Sequence, residues 1–94
     1  MFTTKLQPTG EMLLTGRLDA SETDEANAHF EKIAITTVLD FKELDYISSA
    51  GLALLIKHQK RLNALGHTLK VKNLNKHIRD VFMFTGFDRI FEIV

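Results

Sequence analysis

The sequence predicts an α/β domain built on a mixed, mostly parallel β-sheet of about four to five strands, with an N-terminal hairpin and about three helices packed largely on one face. Three observations carry this. The segments Phe2–Gln7, Glu11–Leu18, Thr36–Phe41, His67–Leu74 and Arg89–Val94 are short apolar or alternating runs that read as strands. Three other segments show helical periodicity. Each of these lies between two strands, so the connections after the hairpin should be right-handed crossovers joining parallel strands. Three helices cannot cover both faces of such a sheet evenly, so one face should be well covered and the other partly exposed. No repeat or linker interrupts the chain, and residues 1–94 read as one domain.

Each element has a local reason. Pro8-Thr9-Gly10 is a turn, because proline presets one backbone angle and glycine tolerates the left-handed region. It joins the first strand to Glu11–Leu18, where Met12, Leu14 and Leu18 share one face. Ser21-Glu22-Thr23-Asp24 matches a capping box, followed by Ala26, Phe30 and Ile33 at helical spacing. Three acids, Glu22, Asp24 and Glu25, crowd this first turn, where the helix dipole favours negative charge. The β-branched run Thr36–Phe41 suits a buried strand. The strongest periodic element follows six residues later, with Leu52, Leu55, Ile56, Leu62 and Leu65 on one stripe and Lys57, Lys60 and Arg61 away from it. Gly66 stands where a left-handed cap is expected. Asn75 can cap a third helix carrying Ile78, Val81 and Phe82, which Gly86 ends. Phe82, Phe84, Phe87 and Phe91 cluster near the C-terminus, as expected of packing between the last helix and the sheet.

Composition excludes several functions. The 45% hydrophobic and 26% charged content is that of a globular domain and not of a disordered tail. With no cysteine there is no disulfide, thiolate metal site or thiol nucleophile. Twelve basic residues balance twelve acidic ones, leaving no overall basic field for nucleic acid or anionic lipid. The balance hides an asymmetry: residues 1–47 carry a net −5 and residues 48–94 a net +5. Opposite halves can attract within the fold or orient a partner, although solvated helix faces are the plainer account. Met1 to Gly10 lacks the apolar core of a secretory leader, and the longest apolar run, Ala50–Ile56, is too short to span a membrane. The expected location is the cytoplasm, with no membrane insertion.

Enzyme signatures fail one by one. No glycine-rich phosphate loop is present. Ser48 and Ser49 lie between a strand and a helix, but the glycine framing of a nucleophile elbow is missing. His29, His58, His67 and His77 lack metal-ligand spacing and read as scattered surface residues. Asp40 and Asp45 read as a strand-end and a turn aspartate rather than paired catalytic carboxylates. The expectation is no catalytic set, no metal and no cofactor. What remains is Asp45-Tyr46-Ile47-Ser48-Ser49-Ala50-Gly51-Leu52, which brings two hydroxyls to the start of the best helix. A serine there serves as an N-cap; the same place, with free N–H groups and the positive dipole end, also suits a phosphate.

The stretch from Leu39 to Leu52, and above all Ser48-Ser49-Ala50-Gly51-Leu52, resembles the signature of the STAS family, the anti-sigma factor antagonists. Gly16-Arg17-Leu18-Asp19-Ala20, Leu65-Gly66-His67 and Thr85-Gly86-Phe87 fall where other turns of that family do, so the resemblance covers nearly the whole chain. It implies a non-enzymatic switch protein. The unmodified form captures an anti-sigma factor that is also a serine kinase of the histidine-kinase-like ATPase type, releasing the sigma factor. Phosphorylation ends the capture and a PP2C-type phosphatase resets it. The family's phosphoacceptor matches Ser49, with Ser48 the second choice because several members have Asp there. The partner-binding residues expected with it are Ser48, Ser49, Ala50, Gly51, Leu52, Ala53 and Lys57. The alternative within the resemblance is an adaptor that is never phosphorylated, such as the STAS subunit of a lipid-transport ABC system.

Overall fold

A computed structural model describes residues 1–94. The chain runs β1 (Phe2–Leu6), β2 (Met12–Leu18), α1 (Thr23–Phe30), β3 (Thr37–Ile47), α2 (Ser49–Ala64), β4 (Leu69–Lys72), α3 (Lys76–Thr85) and β5 (Glu92–Ile93). Short 3-10 turns at Ala20–Glu22 and Phe87–Arg89 precede α1 and β5. The strands lie in sequence order in one five-stranded sheet. β1 and β2 form the expected antiparallel hairpin, and every later neighbour is parallel.

Register shows which residues share a face. Phe2 pairs with Gly16, Leu6 with Met12, Met12 with Leu39, Leu39 with Val71 and Val71 with Ile93. These residues face the helices. Twenty apolar side chains form one core there, in which Phe2 meets Phe30 of α1 edge to face at 6.0 Å and Phe41 meets Phe82 of α3 at 6.0 Å. Lys5, Leu13, Thr15, Asp40, Lys70, Lys72 and Glu92 alternate onto the opposite, helix-free face.

β3 is the main departure from the sequence reading. It does not stop at Phe41 but continues to Ile47. Opposite β2 it carries an extra residue twice, between Asp40 and Glu43 and again between Leu44 and Tyr46. These bulges shift the inward positions to Leu39, Phe41, Leu44 and Ile47, so the strand keeps its core face without a period of two. Asp40 and Asp45 therefore both stand within this one strand. Asp40 is buried there, accepting from Lys42 N–H at 3.0 Å and Asn73 Nδ2 at 3.0 Å, and Asp45 is exposed.

Smaller corrections follow from packing. Ser21 does not cap α1, which starts two residues later after the 3-10 turn, and Ile33 lies beyond its end although buried. Leu65 is 60% exposed, because α2 has ended and Gly66 has already turned left-handed at φ +82°. The turn is closed by His67 N–H to Leu62 O at 2.9 Å and Gly66 N–H to Asn63 O at 3.1 Å. Phe82, Phe87 and Phe91 pack together as anticipated, but Phe84 points outward and is 90% exposed. β5 is reduced to Glu92–Ile93 by the 3-10 turn before it. Asn75 caps α3 as read, its Oδ1 accepting from Ile78 N–H at 2.8 Å.

Candidate functional site

The junction between β3 and α2 places the two serines differently. Ser48 is extended, with φ −85° and ψ 169°, and is the N-cap of α2. Its Oγ accepts from Gly51 N–H at 3.1 Å and donates to Leu18 O at 3.0 Å, while its own N–H donates to the same carbonyl at 3.0 Å. Ser48 therefore ties the start of α2 to the end of β2. Ser49 is the first residue of the helix, is exposed, and its hydroxyl makes no hydrogen bond within the domain. One hydroxyl holds the helix; the other is free.

Gly51 is explained by packing rather than by access. A Cβ there would lie 2.8 Å from Leu18 Cγ and 3.0 Å from both Ile47 Cγ1 and Leu18 O. Only glycine lets the first turn of α2 sit this closely on the ends of β2 and β3. Gly51 and Leu52 are both buried. Of the seven residues singled out at this helix start, Ser49, Ala50, Ala53 and Lys57 face solvent, Ser48 is half-buried, and the other two belong to the core. Small side chains at Ala50 and Ala53 leave that outer face low. Lys57 ends it, with Nζ donating to Asn27 Oδ1 of α1 at 3.0 Å. Beside the junction, the guanidinium of Arg17 lies 4.4 Å above the Tyr46 ring.

A histidine expected on the surface lies buried between α1 and α2 and links them. His58 is fully buried, its ring edge to face with Phe30 at 5.8 Å. Arg61 Nε donates to His58 Nδ1 at 3.2 Å, which leaves the ring proton on Nε2 to donate to Asn27 Oδ1 at 2.8 Å. Arg61 also reaches the carbonyls of Phe30 and Ile33 at 3.1 and 2.9 Å, so it braces the end of α1 instead of standing free. Burial, with the Arg61 and Lys57 charges, lowers the His58 pKa to about 4. Spacing of i to i+3 between His58 and Arg61 was the available signal, but no pattern marks the histidine of such a pair as buried.

Among ion pairs, only Lys72 Nζ to Glu11 Oε1 at 2.7 Å joins the acidic and basic halves of the sequence. No three His, Asp or Glu side chains converge as a metal site, and no helix is long and apolar enough to cross a membrane.

A family model described as "Mlab, STAS domain" matches residues 3–94. The chain is 39% identical over 69 residues to BtrV of Bordetella bronchiseptica, named as a provisional anti-sigma factor antagonist. That alignment takes in 73% of this chain and 60% of BtrV, so the chain spans about three-fifths of that relative. Among solved structures, an anti-sigma factor antagonist from Mycobacterium paratuberculosis superposes with a TM-score of 0.83 at 18% identity, covering 99% of this chain and 85% of that one. Unphosphorylated SpoIIAA, an anti-sigma factor antagonist, gives 0.77 at 20% identity, covering 100% and 88%. Phosphorylated SpoIIAA of Bacillus gives 0.71 at 19% identity, covering 100% and 91%. These structures share the fold, and the family model extends over all but the first two residues. The chain belongs to the STAS domain family.

Proposed function

We propose that this domain is an anti-sigma factor antagonist, a regulatory binding module rather than a catalyst, switched by phosphorylation of Ser49. In this reading the unmodified form binds a serine-kinase anti-sigma factor of the histidine-kinase-like ATPase type through Ser49, Ala50, Ala53 and Lys57, with Ser48 holding the helix start in place. A PP2C-type phosphatase restores the modified form. The observation that carries the reading is the free hydroxyl of Ser49 at an exposed helix N-terminus, beside a Ser48 whose hydroxyl already has two partners. Anionic phosphate suits that position, since free N–H groups and the dipole's positive end face it. Against a partner the same dianion must lose water. Unless a cation meets it, the penalty runs about 2–5 kcal/mol, or roughly thirtyfold to several thousandfold in affinity.

The test begins with capture of partners from the native cell and peptide mapping of the captured bait. An ATPase-type kinase in the eluate and phosphate on Ser49 are expected. Calorimetry should then find tight binding to unmodified protein and to Ser49→Ala, and weaker binding to the phosphorylated form and, in part, to Ser49→Asp. Phosphate on Ser48 alone, or equal affinity for both forms, would overturn the switch. Capture of an ABC transporter ATPase with neither serine modified would support the adaptor instead.

A further inference from the structure

α1 has only eight residues, about 12 Å of helix, and cannot cover the full length of β1 and β2. Beyond its last turn the helix-facing side of the sheet is left open at Leu6 and Met12, and the chain from His29 to Ile35 passes over it. The result is a cavity of about 450 Å³ at the end of the sheet opposite Ser49. Its apolar part comes from Leu6, Met12, Ile33 and Ile35, of which Leu6 and Ile35 are 68% and 64% exposed at the rim. Its polar part comes from Lys32, which has no ion-pair partner, and His29, whose Nδ1 lies 3.1 Å from Thr4 Oγ1. No acidic side chain lines it, although residues 1–47 hold nine acids against four bases.

We infer that this cavity binds a small amphiphile, an alkyl chain carrying a single anionic head. The chain would cover Leu6 and Ile35, which stand exposed at the rim, and lie along the less exposed Met12 and Ile33, and the carboxylate or phosphate would meet Lys32 beside His29. A cleft of this volume that is lined largely by apolar surface, with Thr4, Thr37, His29 and one lysine as its polar groups, has the usual make-up of a small-ligand site. Lys32 is a point charge on a flexible stem and accepts either head group. The inference is independent of the Ser49 switch.

Methyl and amide NMR titrations with decanoate, decyl phosphate and decylamine, each kept below its micelle concentration, test it. Saturable shifts confined to Leu6, Met12, Ile33, Ile35 and their neighbours are expected for the anionic probes, with decylamine at least about tenfold weaker. The stronger of the two anions identifies the head group. Lys32→Glu should weaken decanoate by about tenfold or more and narrow its advantage over decylamine. Ile35→Gln, at an exposed rim position, should weaken all three probes. Both variants should keep the parent's amide spectrum at α2 and α3, so a lost site can be told from a lost fold. Shifts that fail to saturate, equal binding of decylamine and decanoate, or Lys32→Glu binding decanoate unchanged would overturn the inference. So would protection of the same rim by a captured protein with no response to any amphiphile, because the groove would then be a protein-docking surface.

Discussion

Ser48 and Ser49 are adjacent, chemically identical and, by the geometry, energetically unlike. Replacing Ser48 with alanine removes the acceptor for Gly51 N–H and the donor to Leu18 O. Leu18 O keeps the Ser48 N–H at 3.0 Å, so its lone pairs are not wholly abandoned, whereas Gly51 N–H loses its only partner. An N-cap substitution of this kind costs about 0.5–2 kcal/mol, and half-burial with a second hydrogen bond places this one in the upper part, about 1–2 kcal/mol. In a domain of this size each kcal/mol moves the midpoint by about 4–8 °C, so Ser48→Ala should melt roughly 4–16 °C lower. Ser49→Ala deletes an exposed hydroxyl without a partner and should stay within about 0.5 kcal/mol, or about 3 °C. Ser48→Asp keeps the acceptor and loses the donor, so it should fall between. Thermal melts, backed by urea titrations with unchanged m-values, provide the comparison. Equal midpoints for the two alanine variants, or a larger loss for Ser49→Ala, would refute the assigned division between a structural and a free hydroxyl.

Three further outcomes follow from the same geometry. Gly51→Ala should lower the midpoint by about 4–16 °C, because overpacking against Ile47 and Leu18, including the Leu18 carbonyl, falls in the upper part of the usual range, about 2–3 kcal/mol, and outweighs a helix-propensity gain of about 1 kcal/mol; an unchanged or higher midpoint would contradict the close approach. Ala53→Glu, on the exposed face of α2, should leave the midpoint nearly unaltered and, if the proposed kinase contact lies there, weaken its capture in calorimetry, since a charge would then have to be desolvated at the contact. His58 has a folded pKa of about 4 against an unfolded value of 6.5, so the unfolded state takes up the proton first. Its contribution is therefore complete above pH 6.5 and is lost as pH falls toward 4, by at most about 3 kcal/mol; melting across that window should flatten in His58→Gln, and an identical pH profile in that variant would refute the buried neutral ring.

Periodicity reported the fold wherever a single face was buried. Leu52, Leu55 and Leu62 marked the inner stripe of α2, and Leu69 and Val71 the inner face of β4, and all five are buried. It failed where geometry broke the period. The two extra residues in β3 displace Leu44 and Ile47 from strict alternation, and Lys42, Glu43 and Asp45 made the stretch look like a loop although the open face of the sheet tolerates them. Polar burial was invisible for another reason. Residue type gives the average environment of histidine, whereas His58 is inside because Asn27 and Arg61, 31 positions before it and three after, satisfy both ring nitrogens. The serine pair was legible as a pair, and its partition was not. Which hydroxyl caps depends on the extended backbone at Ser48 and on Leu18 O being within 3.0 Å, a contact 30 residues away in sequence.

That partition decides what a phosphate can do here. On Ser48 it would replace a hydroxyl that both accepts and donates, at a half-buried position against a carbonyl oxygen, so the modification would unseat the first turn of α2. On Ser49 it would displace no internal hydrogen bond, stand in solvent, and gain up to about 2 kcal/mol from the helix dipole. A switch that must alter a binding face while the domain stays folded needs an acceptor with no structural duty, placed against one that carries it all. Ser48 and Gly51 supply that support: the first holds the helix start to β2, and the second lets it sit close enough to be held. With the support built from neighbours, a phosphate at Ser49 in the proposed switch would act outward, on the partner, and not inward, on the fold.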